Sequence, residues 1–362
     1  MHIFSLRMQR ETIIGFFCSI LLCLSFLSGI GIVLAKIPDG IPCSNCHTMH
    51  YSQNGTIASW WGASGPYEVL LVNDCIGCHS STTASTIINF TPIVYNTVAP
   101  TEPLAGGNFY YLSASDANGH NVIEIGNPDD VLLSPPGAVH AGQIGENELT
   151  CAGNNGCHGV RNFSQSIGII SIKGSHHTNL TGKLDIADQL YNSYRLLNGV
   201  KGFEAADWKN IDSNNHNEYF GNTSPLDTSN CSACHFGGDI GVKPANQTIS
   251  GFCATCHGNF HSVSGVGGDN LSPFTRHPTD VVLPSTGEYS AYTVYDVTAP
   301  VARTTLPNAP SSTVTPGTDV VMCLSCHMSH ASPYYKMMRW DYRGWPANGL
   351  TNGCNVCHSS KN

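Results

Sequence analysis

Hydrophobic residues are unevenly spread along this chain. Arg7 and Arg10 precede an apolar stretch that opens at Ile13 and closes on Val33, Leu34 and Ala35, so residues 1–35 read as an export signal with a small-residue cleavage site. The run is longer than an ordinary signal core, which makes an uncleaved anchor the alternative. Phe17 and Leu22 stand before Cys18 and Cys23, where a lipoprotein signal needs a small residue, so no lipid anchor is expected. Farther along, Ile186, Leu190, Tyr194 and Leu197 recur at helical spacing and predict a packing helix. The stretches 80–118 and 278–316 are rich in turn formers and predict turns and short strands, the second with Tyr and Val at strand-like positions. The predicted fold is mostly irregular, with short helices and few short strands.

Composition sharpens this. Only 11% of residues are charged, while Gly numbers 37 and Pro 20. A chain so rich in small and polar residues has difficulty building a large aliphatic core unaided. The net charge of −9 excludes nucleic acid as a partner, which needs a basic face, and disfavours anionic lipid surfaces.

The chemistry lies in a repeated motif. C-x-x-C-H occurs six times: Cys43, Cys46 and His47; Cys75, Cys78 and His79; Cys231, Cys234 and His235; Cys253, Cys256 and His257; Cys323, Cys326 and His327; and Cys354, Cys357 and His358. A seventh, C-x5-C-H, is made by Cys151, Cys157 and His158. In such motifs the two thiols add to the vinyl groups of one haem and the adjoining imidazole ligates its iron. Sixteen cysteines are present; with Cys18 and Cys23 in the apolar segment, the other fourteen make seven pairs with none left for a structural disulfide. Zinc ribbons also use paired Cys, but they do not require His directly after every second Cys. A thioredoxin-like motif needs a single C-x-x-C in a βαβ context. For Cys151 and Cys157 the alternative is a disulfide-closed loop. Gly153 and Gly156 favour haem, because a longer spacer must loop out for both sulfurs to reach one porphyrin edge. The expected cofactor is therefore haem c, seven per chain, or six if Cys151 and Cys157 hold none. Haem faces then supply the missing apolar surface, and covalent haem attachment agrees with export.

The motifs divide the mature chain into an N-terminal haem region at 36–160 with three haems, a connecting region at 161–225 carrying the helix, and a C-terminal haem region at 226–362 with four haems. No sharp boundary separates them. Apart from His2 and the seven motif histidines, nine remain as distal ligands: His50, His120, His140, His176, His177, His216, His261, His277 and His330. Met49, Met322, Met328, Met337 and Met338 are too few for His/Met ligation throughout, so two histidines per iron is the default. His50 follows His47 by three residues, His330 follows His327 by three, and His261 follows His257 by four. Residues at that spacing on a helical turn point the same way, so each of these rings must serve a neighbouring haem and not its own. Trp60, Trp61, Trp340 and Trp345 read as aromatics packing on haem.

Local sequences resemble the secreted multihaem cytochromes of metal-reducing bacteria that polymerise into extracellular filaments, the OmcS type. The similar stretches are C-S-N-C-H-T-M-H at 43–50, G-H-N-V at 119–122, C-A-T-C-H-G-N-F-H at 253–261, R-H-P at 276–278, C-L-S-C-H-M-S-H-A-S at 323–332 and C-N-V-C-H at 354–358. The resemblance implies stacked haems with two histidines each, little regular structure and conduction along a homopolymer in which His50 ligates a haem of the adjacent subunit. The additional motif at Cys231 and the long spacer at Cys151 depart from that pattern.

The expected function is long-range electron transfer outside the cytoplasm, at the cell surface or in the periplasm, with redox proteins and extracellular acceptors as partners and no membrane contact after signal cleavage. A monomeric periplasmic or outer-membrane shuttle is the alternative. A multihaem reductase would need an iron with an open face. Every motif here ends in His and distal candidates exceed demand, so no catalytic residue is expected.

Overall fold

Regular structure comes in fragments, as expected of a chain whose polar, Gly- and Pro-rich spacers cannot sustain long ladders or helical turns. A computed structural model describes residues 52–53, 56–57, 75–126, 129, 131–132, 134–138, 144, 148–161, 168–172, 176, 181–224, 246–261, 277–343 and 351–360. The predicted signal lies outside the described residues. So do two predicted haem-attachment motifs, the first with Cys43, Cys46 and His47 and another with Cys231, Cys234 and His235. The predicted ligands His50, His140 and His177 and the aromatics Trp60, Trp61 and Trp345 lie outside them too.

The strands are β1 (Ser52–Gln53), β2 (Thr56–Ile57), β3 (Ser80–Ser81), β4 (Ile87–Ile88), β5 (Thr91–Pro92), β6 (Tyr95–Asn96), β7 (Thr150–Ala152), β8 (Gly156–His158), β9 (Lys183–Leu184), β10 (Gly202–Phe203), β11 (Glu218–Phe220), β12 (Val281–Val282), β13 (Ala302–Arg303) and β14 (Val320–Val321). The α-helices are α1 (Cys75–His79), α2 (Ile249–Ala254) and α3 (Cys354–Cys357). Six strands make the one larger sheet, in the order β12-β14-β13-β11-β10-β9. Its one parallel pair, Tyr219 opposite Ala302, joins β11 to β13, and its other pairs are antiparallel.

The predicted helix at 186–197 does not form. Two 3-10 turns, Leu190–Asn192 and Tyr194–Leu196, take its place, and Arg195 and Leu196 have φ of 45° and 62°. Apolar spacing alone cannot hold one face when the chain reverses at Gly199 and returns the Tyr194 amide to the Val200 carbonyl (3.0 Å). Tyr194 and Leu197 are still buried, while Ile186 points to solvent.

Among the described residues three apolar clusters form the core, and each abuts a motif cysteine. Leu184, Tyr194, Val200, Tyr219, Phe252 and Val320 pack together with Cys157 at their edge. Leu283, Tyr292, Tyr295, Val301 and Val314 lie against Cys357. Phe109, Leu112, Val122 and Ala331 lie against Cys151. Full burial of side chains such as Val and Leu is worth about 1.5–3 kcal/mol each, and here that burial is concentrated around the cysteine motifs.

A buried polar network ties the sheet to the 311–319 loop. Glu218 accepts from Arg303 Nε (2.9 Å) and from His216 Nε2 (3.1 Å), and Arg303 also pairs with Asp319. Arg303 donates as well to the Thr313 and Ser311 carbonyls at 2.8 and 3.0 Å. The His216 ring stacks on Tyr295 with centroids 3.7 Å apart. Burial raises the Glu218 pKa, but the His216 and Arg303 hydrogen bonds outweigh it and the net shift is downward. The stabilisation from ionised Glu218 is thus complete above the ordinary carboxylate range and disappears as pH falls through the depressed value. Glu218→Gln should cost about 3 kcal/mol or more at neutral pH, read as a lower denaturation midpoint. In the unmodified chain this contribution should fade only below about pH 4.

Candidate haem centres

Local backbone geometry presents the cysteines in two ways. A single helical turn sets thiols three residues apart on one face: Cys75 and Cys78 in α1, Cys354 and Cys357 in α3, and Cys323 with Cys326 at the 3-10 turn Cys323–Ser325. At 253–257 the turn belongs to α2, whose N-terminus is capped by Thr248 Oγ1 accepting from the Gly251 amide at 2.9 Å. The following His is held by its own amide, which donates four residues back from His257 to Cys253, from His327 to Cys323 and from His358 to Cys354, at 2.9–3.1 Å. The C-x5-C-H motif reaches the same end by strand pairing: β7 and β8 run parallel, with Thr150 opposite Gly156 and Ala152 opposite His158. Gly153 turns the loop with φ of 98°, and a Cβ on Gly156 would meet the Ala152 backbone at 2.6 Å. The ten described cysteines are half-buried. Cys151 and Cys157 are both free thiols, so the disulfide-closed loop is not formed.

Among the described residues histidine rings approach one another in four pairs, with interplanar angles from 24° for His79 and His176 to 81° for His277 and His358. Centroid separations are 6.4 Å for His79 and His176, 6.1 Å for His120 and His257, 6.2 Å for His158 and His330, and 6.1 Å for His277 and His358. Two metal–imidazole bonds of about 2 Å, plus roughly 1 Å from each ring centre to its nitrogen, require centres about 6 Å apart. Every pair joins one motif histidine to one histidine outside the motifs.

The hydrogen bonds behind the rings fix which nitrogen is free. Nδ1 lies 2.7 Å from the Pro92 carbonyl in His79, 2.8 Å from Ser329 in His120, 2.7 Å from Arg195 in His158 and 2.7 Å from Pro136 in His257. It lies 2.9 Å from the Pro278 carbonyl in His277 and from Lys336 in His327. In His358 it lies 3.0 Å from Glu288 Oε1. A carbonyl or carboxylate oxygen only accepts, so Nδ1 carries the proton and Nε2 keeps the lone pair that a metal takes. Burial also keeps the rings neutral: it pushes His79, His120, His158 and His327 below the usual histidine value, His257 to about 4 and His330 to about 3. Neutral imidazole is the ligand form, so the residues present fit haem iron.

Two predicted distal ligands stand elsewhere. His216 has Nδ1 3.1 Å from the Asp212 carbonyl and Nε2 3.1 Å from Glu218 Oε1, so an oxygen faces each of its nitrogens. His261 presents Nε2 to Asp280 Oδ2 at 2.9 Å, where Thr248 Oγ1 also donates (2.7 Å). Among the described residues no histidine ring faces His327.

Neighbouring motifs touch through their thiols. The Cys75 thiol lies close enough to Cys151 to raise its pKa, and Cys323 does the same to Cys253. Cys157 is in electrostatic reach of Cys256, and Cys326 of Cys354 and Cys357. The five described motifs therefore follow one another in space in their order along the chain. Sequence reasoning missed the backbone acceptors and Glu288. A carbonyl has no sequence signature, and Glu288 lies 70 residues from His358.

A family model described as the doubled CXXCH motif matches residues 316–362. The matched stretch holds two of the six regular motifs, those at Cys323 and Cys354. Two solved structures are similar, the outer membrane cytochrome S filament from Geobacter sulfurreducens and the OmcS nanowires from the same organism. The first is 18% identical over 88% of this chain and 98% of its own, with a TM-score of 0.42. The second is 18% identical over 84% of this chain and 83% of its own, with the same TM-score of 0.42. No curated protein matches.

Because a Cβ on Gly156 has no room between the paired strands, Gly156→Ala should part Cys151 from Cys157. The expected loss is about 1–3 kcal/mol, with a lower melting temperature and less covalent haem per chain by pyridine haemochrome assay.

Proposed function

We propose that this chain is an exported electron-transfer cytochrome carrying seven haem c groups, each iron held by two histidines, and that it polymerises into an extracellular filament. The observation that carries the reading is the set of four facing imidazole pairs at 6.1–6.4 Å. On this reading His79 works with His176, His158 with His330, His257 with His120 and His358 with His277. The thioether pairs are Cys75 with Cys78, Cys151 with Cys157, Cys253 with Cys256, Cys323 with Cys326 and Cys354 with Cys357. Cys43 with Cys46 and Cys231 with Cys234 complete the seven on the strength of their spacing. When bound, each haem supplies a one-electron carrier whose closed coordination favours transfer over substrate chemistry.

The histidine count supports the same reading. His216 and His261 drop out of the ligand set predicted from sequence, because their nitrogens are committed to Glu218 and Asp280. Of the nine candidates seven remain, one for each motif. Four are paired as above, which leaves His50, His140 and His177 for the haems of His47, His235 and His327. The resemblance at Cys43–His50 supports His50 as the ring that crosses to an adjacent subunit, and His327 is the described motif histidine without a ring opposite it. No spare iron face is left for a reductase. The thiol contacts between successive motifs support a line of haems close enough for electrons to step from one to the next. Among the described residues no helix is long and apolar enough to cross a membrane.

His50→Ala tests the polymer. Images of the secreted protein should lose filaments and the optical spectrum should gain one high-spin haem, whereas an unchanged monomeric particle before and after substitution would select the shuttle. Intact mass of the mature chain should equal polypeptide plus seven haems; six would remove Cys151 and Cys157 from the set. In His330→Ala the haem at His158 should turn high-spin while covalent haem content is unchanged, because the thioether bonds do not depend on the distal ring.

A further inference from the structure

Among the rings read as iron ligands, seven have a defined Nδ1 partner, and they differ in one respect. Six face neutral backbone carbonyls; His358 faces a carboxylate, Glu288 Oε1, at 3.0 Å. We infer that Glu288 is a positioning and tuning residue that gives the haem at Cys354 and Cys357 the lowest reduction potential of the five described centres. The inference rests on the reading of His358 as an iron ligand.

A carboxylate pulls harder on the Nδ1 proton than a carbonyl does, because hydrogen bonds to an ionised acceptor are about twice as strong as neutral ones. The proton stays on Nδ1, and the ring gains imidazolate character that makes Nε2 the richer donor. A richer donor stabilises ferric over ferrous iron, so the one-electron reduction becomes less favourable. The negative charge of Glu288 acts in the same direction through space. Little water screens either effect, since the Glu288 and His358 side chains are 12% and 19% exposed.

Glu288 is held in place for this role. It sits in the 3-10 turn Gly287–Ala291. Ser360 Oγ donates to its Oε2 at 2.8 Å, and Ser359 Oγ donates to its carbonyl at 2.7 Å. The two serines directly follow His358, so ligand and carboxylate are clamped as one unit. Tyr289 packs edge-on against the His358 ring with centroids 5.1 Å apart. Cys354 and Cys357 neighbour Cys326 and stand last in the described order of motifs. A low-potential centre there is the last of the line to accept an electron and the first to give one up.

Glu288→Gln in the full haem-loaded protein keeps the shape and replaces the charge with an amide. Potentiometric titration of the reduced haem band should show the lowest couple rising, its reduction equilibrium constant about tenfold larger, which is 59 mV for one electron. The other couples should hold their values. If no couple moves, or the one that moves is not the lowest, the assignment to Glu288 is wrong even with every haem low-spin. A high-spin spectrum in the unmodified protein would instead count against the two-histidine reading beneath it. Should the variant lose haem or fail to fold, electron paramagnetic resonance of the unmodified ferric protein decides: one low-spin signal with imidazolate-like g values supports the inference, and neutral-imidazole signals throughout overturn it.

Discussion

The structure is organised by paired imidazole rings whose centres lie 6.1–6.4 Å apart, six of the eight with Nδ1 held by an oxygen behind the ring. A ring free to rotate or change tautomer would present Nε2 in the wrong direction or with a proton on it. Backbone carbonyls from remote segments prevent this: Pro136 holds His257, Ser329 holds His120 and Arg195 holds His158. Each of these contacts joins stretches distant in sequence, so the hydrogen bonds that prepare the ligands are also tertiary contacts. Strands of two or three residues and helices of four to six are thus tied together by contacts between segments distant in sequence.

What sequence made legible was what covalent chemistry fixes. Haem attachment needs two thiols and a histidine at set spacing, so the motifs are visible in any fold, and the irregular architecture followed from their density and from the turn-rich spacers. Pairing was not legible, because a distal ring is chosen by tertiary approach. His176 carries no sequence mark that distinguishes it from His216. His261 follows a motif by four residues, yet its Nε2 lies 2.9 Å from Asp280 Oδ2, and Asp280, held at φ of 51°, donates its own amide to the Val321 carbonyl at 2.8 Å. The helix at 186–197 failed for a related reason: the apolar positions were read for a face, but their burial is achieved by two turns and a reversal.

Zinc accounts for none of this geometry. Structural zinc would gather four thiol or imidazole ligands around one point about 2.0–2.3 Å away. Among the described residues no cluster of three or more Cys, His, Asp or Glu could hold an ion. The motif histidines instead turn toward partners about 6 Å from ring to ring, too far for a shared tetrahedral ion and right for a ligand on each face of a planar macrocycle.

The excluded histidines show how one side chain serves two purposes in the same protein. In six of the eight paired rings, those of His79, His120, His158, His257, His277 and His358, Nδ1 meets an oxygen and Nε2 is left open. In His216 and His261 it is Nε2 that meets a carboxylate, and these contacts hold a sheet whose strands are too short to hold themselves. His216 joins Arg303, Glu218 and Asp319 in crosslinking β11, β13 and the loop before β14. His261 joins α2, through Thr248, to the residue that opens β12. A buried polar group left unpaired costs about 1–3 kcal/mol, so such crosslinks persist only when complete. Whether Nε2 faces an oxygen therefore separates the two kinds of ring, and His358 combines an open Nε2 with the stronger electrostatics of a carboxylate on Nδ1.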